Sequence, residues 1–140
     1  MKVLVDTNVV LDVLLDRRPF ADAAAQVFAL VENSRIEGYL CATTVTTLDY
    51  LLGRALAPAQ AREALRRLLG LFEIAPVNRS VLEQALRSGV SDFEDAVLEQ
   101  AARLVGVDVI TTRSTKDFKD SSVTVFDPAE LLSTFGCSHE

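Results

Sequence analysis

The sequence predicts a three-layer α/β/α sandwich built on one central, five-stranded parallel sheet. Three observations support this fold class. Short runs rich in Val, Ile, Leu and Phe alternate along the chain with longer segments of helical periodicity. The short runs are apolar on both faces, which is typical of parallel strands covered by helices on each side. The chain has 140 residues, 49% of them hydrophobic, which suits one domain with a single sizeable core.

Each strand is predicted where a short apolar run gives way to polar residues. The predicted strands are 2–6, 37–42, 72–77, 107–112 and 123–126. Helical apolar spacing fills the intervals between the strands. The predicted helices are 7–16, 20–34, 44–56, 58–71, 80–87, 92–105 and 128–132. Because no linker or repeat divides the chain, we expect one domain at residues 1–134 and a short C-terminal tail at residues 135–140.

Charge and composition exclude several classes of function. Fourteen Lys and Arg against twenty Asp and Glu give a formal net charge of -6, which argues against general electrostatic attraction to nucleic acid. His139 is the only histidine and is the penultimate residue, so we expect neither histidine-based catalysis nor a zinc site. Cys41 and Cys137 are expected to be free thiols. The sequence has no signal-peptide layout and no apolar run of about 18 residues, so we expect a cytoplasmic protein.

Acidic residues recur where the predicted strands end, and this edge of a parallel sheet is where binding sites lie. The first strand ends in Asp6-Thr7-Asn8. These residue types also cap helices well, so a purely structural role for Asp6 stays open. Asp49 falls on the apolar stripe of the third predicted helix. A buried carboxylate needs a proton, a cation or a metal, although Asp49 could instead reach solvent or an arginine such as Arg54.

The segment that opens the sixth predicted helix contains three acids in four residues. Asp92 and Asp95 fall on one helical face together with Glu99, whereas Glu94 points to the other side. Ser91 and Glu94 have the spacing of a capping box, which predicts a structural role for Glu94. The helix dipole alone could explain Asp92 and Asp95.

The loop after the fourth predicted strand, residues 111–118, places hydroxyls, two cations and Asp117 at the same edge. It is equally typical of a phosphate-facing loop and of a solvated turn. Four segments nevertheless bring acids to one edge, and gathered carboxylates repel one another unless protons or hard cations intervene. An oxygen-only site favours Mg²⁺ or Mn²⁺, and such a site predicts metal-assisted hydrolysis of phosphodiesters.

These motifs resemble those of PIN-domain ribonucleases, in particular the toxin subunits of VapBC-type toxin-antitoxin pairs. The similarity runs from the first strand to the last helix. Asp6 with Asn8 matches the first acidic motif of the family. Asp49, preceded at intervals of three by Thr46 and Thr43, matches the second motif with Asp in place of the usual Glu. Asp95, before Ala96-Val97, matches the third acid.

The resemblance implies that Asp6, Asp95 and Asp49 bind the metal, which would be Mg²⁺ or Mn²⁺. It also implies a strand order of 3-2-1-4-5, cleavage of single-stranded RNA, a small antitoxin partner and frequent homodimerisation. The sequence departs from the family at Ser114, where relatives carry Asn or Asp. A hydroxyl orients water more weakly than a carboxylate, so Ser114 and Asp92 join the predicted catalytic set and Asp117 becomes a further candidate.

The sequence also suits two alternatives to a ribonuclease. Ser114 also suits a PIN fold that binds RNA or protein without cutting it, and the alternating strands and helices also suit a receiver-like signalling domain. The basic segment 54–67 could guide RNA, bind an antitoxin or form an ordinary solvated helix face. Four aromatic residues are predicted to be core rather than base-stacking residues. They are Tyr50, Phe72, Phe93 and Phe118.

Overall fold

The computed structural model describes residues 1–136, which fold into alternating strands and helices. The strands are β1 (Lys2–Val5), β2 (Glu37–Cys41), β3 (Glu73–Ala75), β4 (Val109–Thr111) and β5 (Thr124–Phe126). The helices are α1 (Thr7–Leu14), α2 (Ala21–Glu32), α3 (Ala42–Leu52), α4 (Pro58–Leu71), α5 (Arg79–Arg87), α6 (Phe93–Val105) and α7 (Pro128–Ser133). A 3-10 turn, Thr115–Phe118, lies between β4 and β5. Residues 137–140 of the predicted tail, with Cys137 and His139, lie outside the described residues.

The five strands form one parallel sheet in the order β3-β2-β1-β4-β5. This confirms the strand order that the resemblance implies. Receiver-like folds have the order 2-1-3-4-5, so the receiver alternative is wrong. β1 lies at the centre and pairs with β2 on one side and β4 on the other.

Side chains of β1 alternate between two apolar cores, as expected for a strand with helices on both faces. Val3 and Val5 are fully buried in the core formed with α1, α2, α3, α4 and α7. Leu4 is fully buried in the opposite core, which α5 and α6 cover. The fold is therefore the predicted three-layer sandwich.

Most element ends lie within two residues of their predicted positions, and α3 is the exception. Its predicted range was 44–56, whereas the helix starts directly after β2 and ends at Leu52. Gly53 follows, and the next amides of Arg54 and Ala55 donate to the carbonyls of Leu51 and Leu52 at 3.2 and 3.0 Å. These tighter i to i-3 bonds end the regular helix, because glycine is a poor helix former.

Two further predictions concern the cysteine thiols and membrane-spanning segments. Cys41 is a buried free thiol, packed at the end of β2. None of the helices within residues 1–136 has the length and apolar character of a membrane span.

Candidate functional site

Asp6 lies directly after β1, at the carboxyl edge of the central strand. Its backbone N–H donates to the carbonyl of Thr111 at 3.0 Å, which fixes it against β4. Its side chain is 8% exposed. Oδ1 accepts from the Thr7 N–H at 2.7 Å, and Oδ2 accepts from the Thr112 hydroxyl at 2.8 Å. Asp6 is therefore both the cap of α1 and an oriented carboxylate at the sheet edge.

The Thr112 hydroxyl organises the loop after β4. It donates to Asp6 and accepts from the side-chain amide of Asn8 at 3.3 Å and from the Ser114 N–H at 3.0 Å. The amide of Asn8 also donates to the Ser114 hydroxyl at 3.4 Å. One donor and two accepted bonds use the full capacity of a hydroxyl. The predicted residues Asp6, Asn8 and Ser114 thus share one hydrogen-bonded network.

The start of α6 differs from the predicted capping box. Asp92 is the N-cap, and its Oδ1 accepts from the Asp95 N–H at 3.0 Å. Glu94 does not reach back to Ser91, because its Oε2 accepts from the Thr47 hydroxyl of α3 at 3.2 Å. The Ser91 and Glu94 capping box is therefore wrong, since the helix begins one residue later than that box requires.

Asp95 is half-buried in the first turn of α6. Burial raises the pKa of its carboxyl, and the negative charges of Asp6, Asp92, Asp117 and Glu94 raise it further, to about 7. Four acids, two from the start of α6 and two from distant parts of the chain, thus act on one carboxyl group. We call the set Asp6, Asp92, Glu94, Asp95 and Asp117 the acidic site.

Asp6 experiences opposing effects. Burial raises the pKa of its carboxyl, whereas the hydrogen bonds from Thr112 and Thr7 lower it. The charges of Glu94 and Asp117 add to the rise, and the net pKa lies above its usual value. The neighbouring negative charges therefore destabilise the ionised form of Asp6, and a bound cation would offset that destabilisation.

Asp49 is placed differently from the other predicted ligands. Its side chain is 39% exposed, and Oδ1 lies 3.0 Å from Nε of Arg62 in α4. The charges that raise the pKa values of Asp6 and Asp95 do not include Asp49. Its carboxylate therefore balances Arg62, and its role as a metal ligand stays a prediction.

The threonines of α3 support this part of the structure. The Thr46 hydroxyl donates to the Thr43 carbonyl at 2.9 Å, within the helix. The Thr7 hydroxyl donates to the hydroxyl of the buried Thr44 at 3.1 Å. Thr44, which lies outside the predicted spacing, is thus the residue that connects α3 to the start of α1.

Sequence reasoning missed Asp12. This carboxylate of α1 is fully buried, and it accepts from Nε of Arg17 at 2.9 Å and from Nε and Nη2 of Arg113 at 2.7 and 3.3 Å. The signal was present, since a lone acid interrupts the apolar run 9–15 and a buried carboxylate needs partners. The partners themselves were not visible in the sequence.

The donors of the acidic site suit a hard divalent cation, because all are oxygens and their charges oppose one another's ionisation. Within residues 1–136, no three acidic, histidine or cysteine side chains lie close enough to enclose a metal ion on their own. Mg²⁺ usually keeps several water ligands and binds one or two carboxylates, so a site that offered only Asp6 and Asp95 as direct ligands would still suit it. The residues therefore fit the implied metal.

Comparisons with known proteins agree with this architecture. The chain matches no curated protein at a significant level. A toxin-antitoxin complex from Klebsiella pneumoniae is 24% identical with a TM-score of 0.68, over 90% of this chain and 97% of that chain. VapBC-1 from nontypeable Haemophilus influenzae is 17% identical with a TM-score of 0.69, over 91% and 98%. VapC20 of Mycobacterium tuberculosis, a sarcin-ricin loop cleaving toxin, is 19% identical with a TM-score of 0.63, over 77% and 86%.

The sequence model of the PIN domain matches residues 2–116. This range contains β1 to β4 and Asp6, Asp49, Asp92, Asp95 and Ser114, and it is far more than half of the chain. The chain therefore belongs to the PIN domain family.

Proposed function

We propose that this chain is a divalent-metal-dependent endoribonuclease that hydrolyses phosphodiester bonds of single-stranded RNA, as the toxin of a toxin-antitoxin pair. The observation that carries the proposal is the pair Asp6 and Asp95. The two carboxyl groups come from distant segments, Asp6 is buried and Asp95 is half-buried, and the charge of Asp6 raises the pKa of Asp95. A cation is the ordinary means of stabilising such a pair in its ionised form.

Asp6 and Asp95 would hold Mg²⁺ or Mn²⁺, and Asp49, whose Oδ1 pairs with Arg62, would be a weaker third ligand. A cation bound there would lower the pKa of a water molecule and offset charge that develops on the phosphate. The Thr112 hydroxyl and the Thr7 N–H keep the Asp6 carboxylate in one orientation.

The substrate must approach a protein with a net charge of -6. A cation in the acidic site would reduce the local repulsion of a polyanion. Arg62 and Lys116 lie on exposed positions of the neighbouring α4 and 3-10 turn and can contact phosphates. Cleavage of the sarcin-ricin loop by the structurally similar M. tuberculosis toxin supports RNA as the substrate class.

The test is cleavage of a labelled single-stranded RNA by the purified protein. We expect cleavage with Mg²⁺ or Mn²⁺, none with excess EDTA, and a loss of at least about a hundredfold in Asp6→Asn, because that variant removes a metal ligand. Asp22→Asn is the matched control, since Asp22 is an exposed acid of α2 that pairs with Arg18.

Cleavage that persists in both EDTA and Asp6→Asn would contradict the proposal. A protein that fails to bind Mn²⁺ at millimolar concentration would instead be the non-cleaving PIN fold that Ser114 suggests. Calorimetric titration with Mn²⁺ separates this outcome from an enzyme tested on the wrong RNA.

An antitoxin partner is supported by the toxin-antitoxin complexes among the structural matches and by a groove between α1, α2 and α4. The groove has a volume of about 830 Å³. Its apolar lining includes Val13, Leu14, Phe28, Ala64, Leu68 and Leu71, with Glu63 and Arg67 also in its wall. Such a lining suits the apolar face of an amphipathic helix.

The antitoxin proposal is tested by co-purification with the product of a short reading frame beside this gene. We expect a complex with the wild-type chain and a weaker complex with Ala64→Arg, which places a long charged side chain in the groove. Gln26→Arg, at an exposed position of α2 outside the groove lining, is the control. Equal complex formation by all three proteins would exclude the groove.

Homodimerisation is supported by an apolar surface on α5. Leu82 and Leu86 lie one turn apart on the same helical face and are 40% and 73% exposed. We expect light scattering to give twice the monomer mass for the wild type and the monomer mass for Leu86→Glu. A wild-type monomer at high concentration would contradict the proposal.

A further inference from the structure

Arg113 stacks on an exposed aromatic ring beside the acidic site. Its guanidinium carbon lies 3.9 Å from the ring centroid of Phe20, which is 42% exposed and immediately precedes α2. A cavity of about 440 Å³ opens next to this pair. The other residues that line the cavity are Pro19, Ala23, Asp127, Pro128 and Ala129.

The guanidinium of Arg113 is held in place before any ligand arrives. Nε and Nη2 donate to the two oxygens of the buried Asp12, and the backbone N–H of Arg113 donates to Oδ1 of Asn8 at 3.2 Å. These bonds fix the guanidinium plane. A planar ligand that packs beside it therefore costs little further side-chain entropy at Arg113.

Arg113 belongs to the loop that orients Asp6 of the acidic site. Arg113 lies between Thr112, whose hydroxyl donates to Asp6, and Ser114, whose hydroxyl accepts from Asn8. The loop that orients Asp6 through Thr112 therefore also carries Arg113, whose side chain continues to Asp12 and Phe20.

We propose that Phe20 and Arg113 form a stacking platform for a nucleobase of the RNA strand next to the scissile phosphate. This inference rests on the proposed function and adds a binding subsite to it. Unpaired bases stack on aromatic rings and on arginine planes, and the cavity supplies an apolar wall from Pro19 and Pro128 for the base edge.

The sequence prediction that four aromatic residues lie in the core is right for two of them and wrong for the other two. Phe72 and Phe118 are buried as predicted, whereas Tyr50 and Phe93 are exposed, so aromatic rings do reach the surface of this protein. Among the exposed aromatic rings of residues 1–136, Phe20 has an arginine within stacking distance, at 3.9 Å. The arginine beside Tyr50 lies farther away, with the Arg54 carbon 5.9 Å from the ring centroid.

The test is a thermodynamic cycle in which the Phe20 ring and single RNA bases are removed, separately and together. Binding of a short labelled RNA is measured with Ca²⁺ in place of Mg²⁺, and each base is removed in turn to leave an abasic site. We expect one abasic position to weaken binding to the wild type about tenfold, as expected for one stacked base. In Phe20→Leu, an abasic site at that same position should not weaken RNA binding further. Phe20→Tyr should behave as the wild type.

Controls separate stacking from general damage. Tyr50→Leu removes another exposed ring beside an arginine and should keep the wild-type abasic profile. Thermal unfolding should show that Phe20→Leu is folded. If Phe20→Leu keeps full sensitivity at every abasic position while the wild type cleaves RNA, the subsite is excluded and the proposed function stands.

Two other outcomes would also overturn the platform. If Phe20→Leu weakens the complex with the antitoxin but leaves the abasic profile unchanged, the platform belongs to a protein interface. If the wild-type chain neither binds nor cleaves RNA, the proposed function and the subsite fail together.

Discussion

Asp12 and Arg113 are separated by 101 positions in the sequence, yet they form a two-pronged ion pair in the interior, with Nε to Oδ2 at 2.7 Å and Nη2 to Oδ1 at 3.3 Å. The Asp12 side chain is almost completely buried, and it also binds Arg17. Through this pair α1 holds the loop that carries Thr112 and Ser114. The ion pair therefore connects the interior of the protein to both the acidic site and the stacking platform.

Asp12→Asn should destabilise the protein by about 3 kcal/mol, because it removes the buried negative charge that two partly buried arginines share. Asp22→Asn, which breaks the exposed pair with Arg18, should cost about 0.5 kcal/mol or less. The free energy of unfolding in urea measures both. Equal, small effects would show that the interior pair contributes no more than a surface pair.

The three predicted metal ligands should contribute unequally. Asp6→Asn and Asp95→Asn should each weaken Mn²⁺ binding by about tenfold or more, the order found for lost ligand support. Asp49→Asn should weaken it much less, because the Asp49 carboxylate balances Arg62. Calorimetry or electron paramagnetic resonance of Mn²⁺ measures the three affinities. An Asp49→Asn loss as large as that of Asp6→Asn would establish Asp49 as a full ligand.

The metal-free protein should lose stability as the pH rises. The pKa of Asp95 is about 7 in the folded chain, well above its value in the unfolded chain, so the folded state binds the extra proton between those two values. The contribution of Asp95 to stability is therefore fully present below about pH 4 and is lost as the pH rises through about 7. The midpoint temperature of unfolding in EDTA measures the fall.

Asp95→Asn is the control for this pH dependence. It should flatten the decline and make the metal-free protein more stable than the wild type at neutral and higher pH. Excess Mg²⁺ should restore the wild type at high pH by binding the ionised carboxylates. If Asp95→Asn shows the same dependence of stability on pH as the wild type, other groups cause that dependence.

Gly38 of β2 should not tolerate a side chain. A Cβ at this position would lie 2.7 Å from Cδ1 of Phe72 and 2.9 Å from Cγ2 of Val31. Gly38→Ala should therefore destabilise the protein by about 1–3 kcal/mol through overpacking. Gly70→Ala, in α4 with nothing within 4 Å of its Cβ position, should be neutral or stabilise by up to about 1 kcal/mol. Urea unfolding of the two variants makes the comparison.

Local patterns were sufficient for the secondary structure. The apolar run of β1 and the spacing of α4, which starts at Pro58, are properties of neighbouring residues, and the structure follows them closely. Local patterns failed where two structures compete for the same residues. Ser91 and Glu94 have capping-box spacing, but Asp92 is an equally good cap and lies one residue closer to the helix.

The acidic site was predictable in outline because parallel strands bring their carboxyl ends to one edge. From this rule, the sequence placed Asp6, Asp95 and Ser114 at the same edge. Which groups act on one another depends on distances of a few ångströms between segments far apart in the chain. Asp49 with Arg62, and Glu94 with Thr47, are contacts of that kind.

The amino-acid sequence by itself determined the layers of this protein, the order of its elements and the edge at which its acids gather, because apolar periodicity and strand direction are local properties. Only the tertiary structure decided that Asp12 joins Arg17 and Arg113 in the interior, and that Arg113 in turn covers Phe20. A buried charge takes the partner that the packing brings within hydrogen-bonding distance. Sequence separation carries no information about that distance.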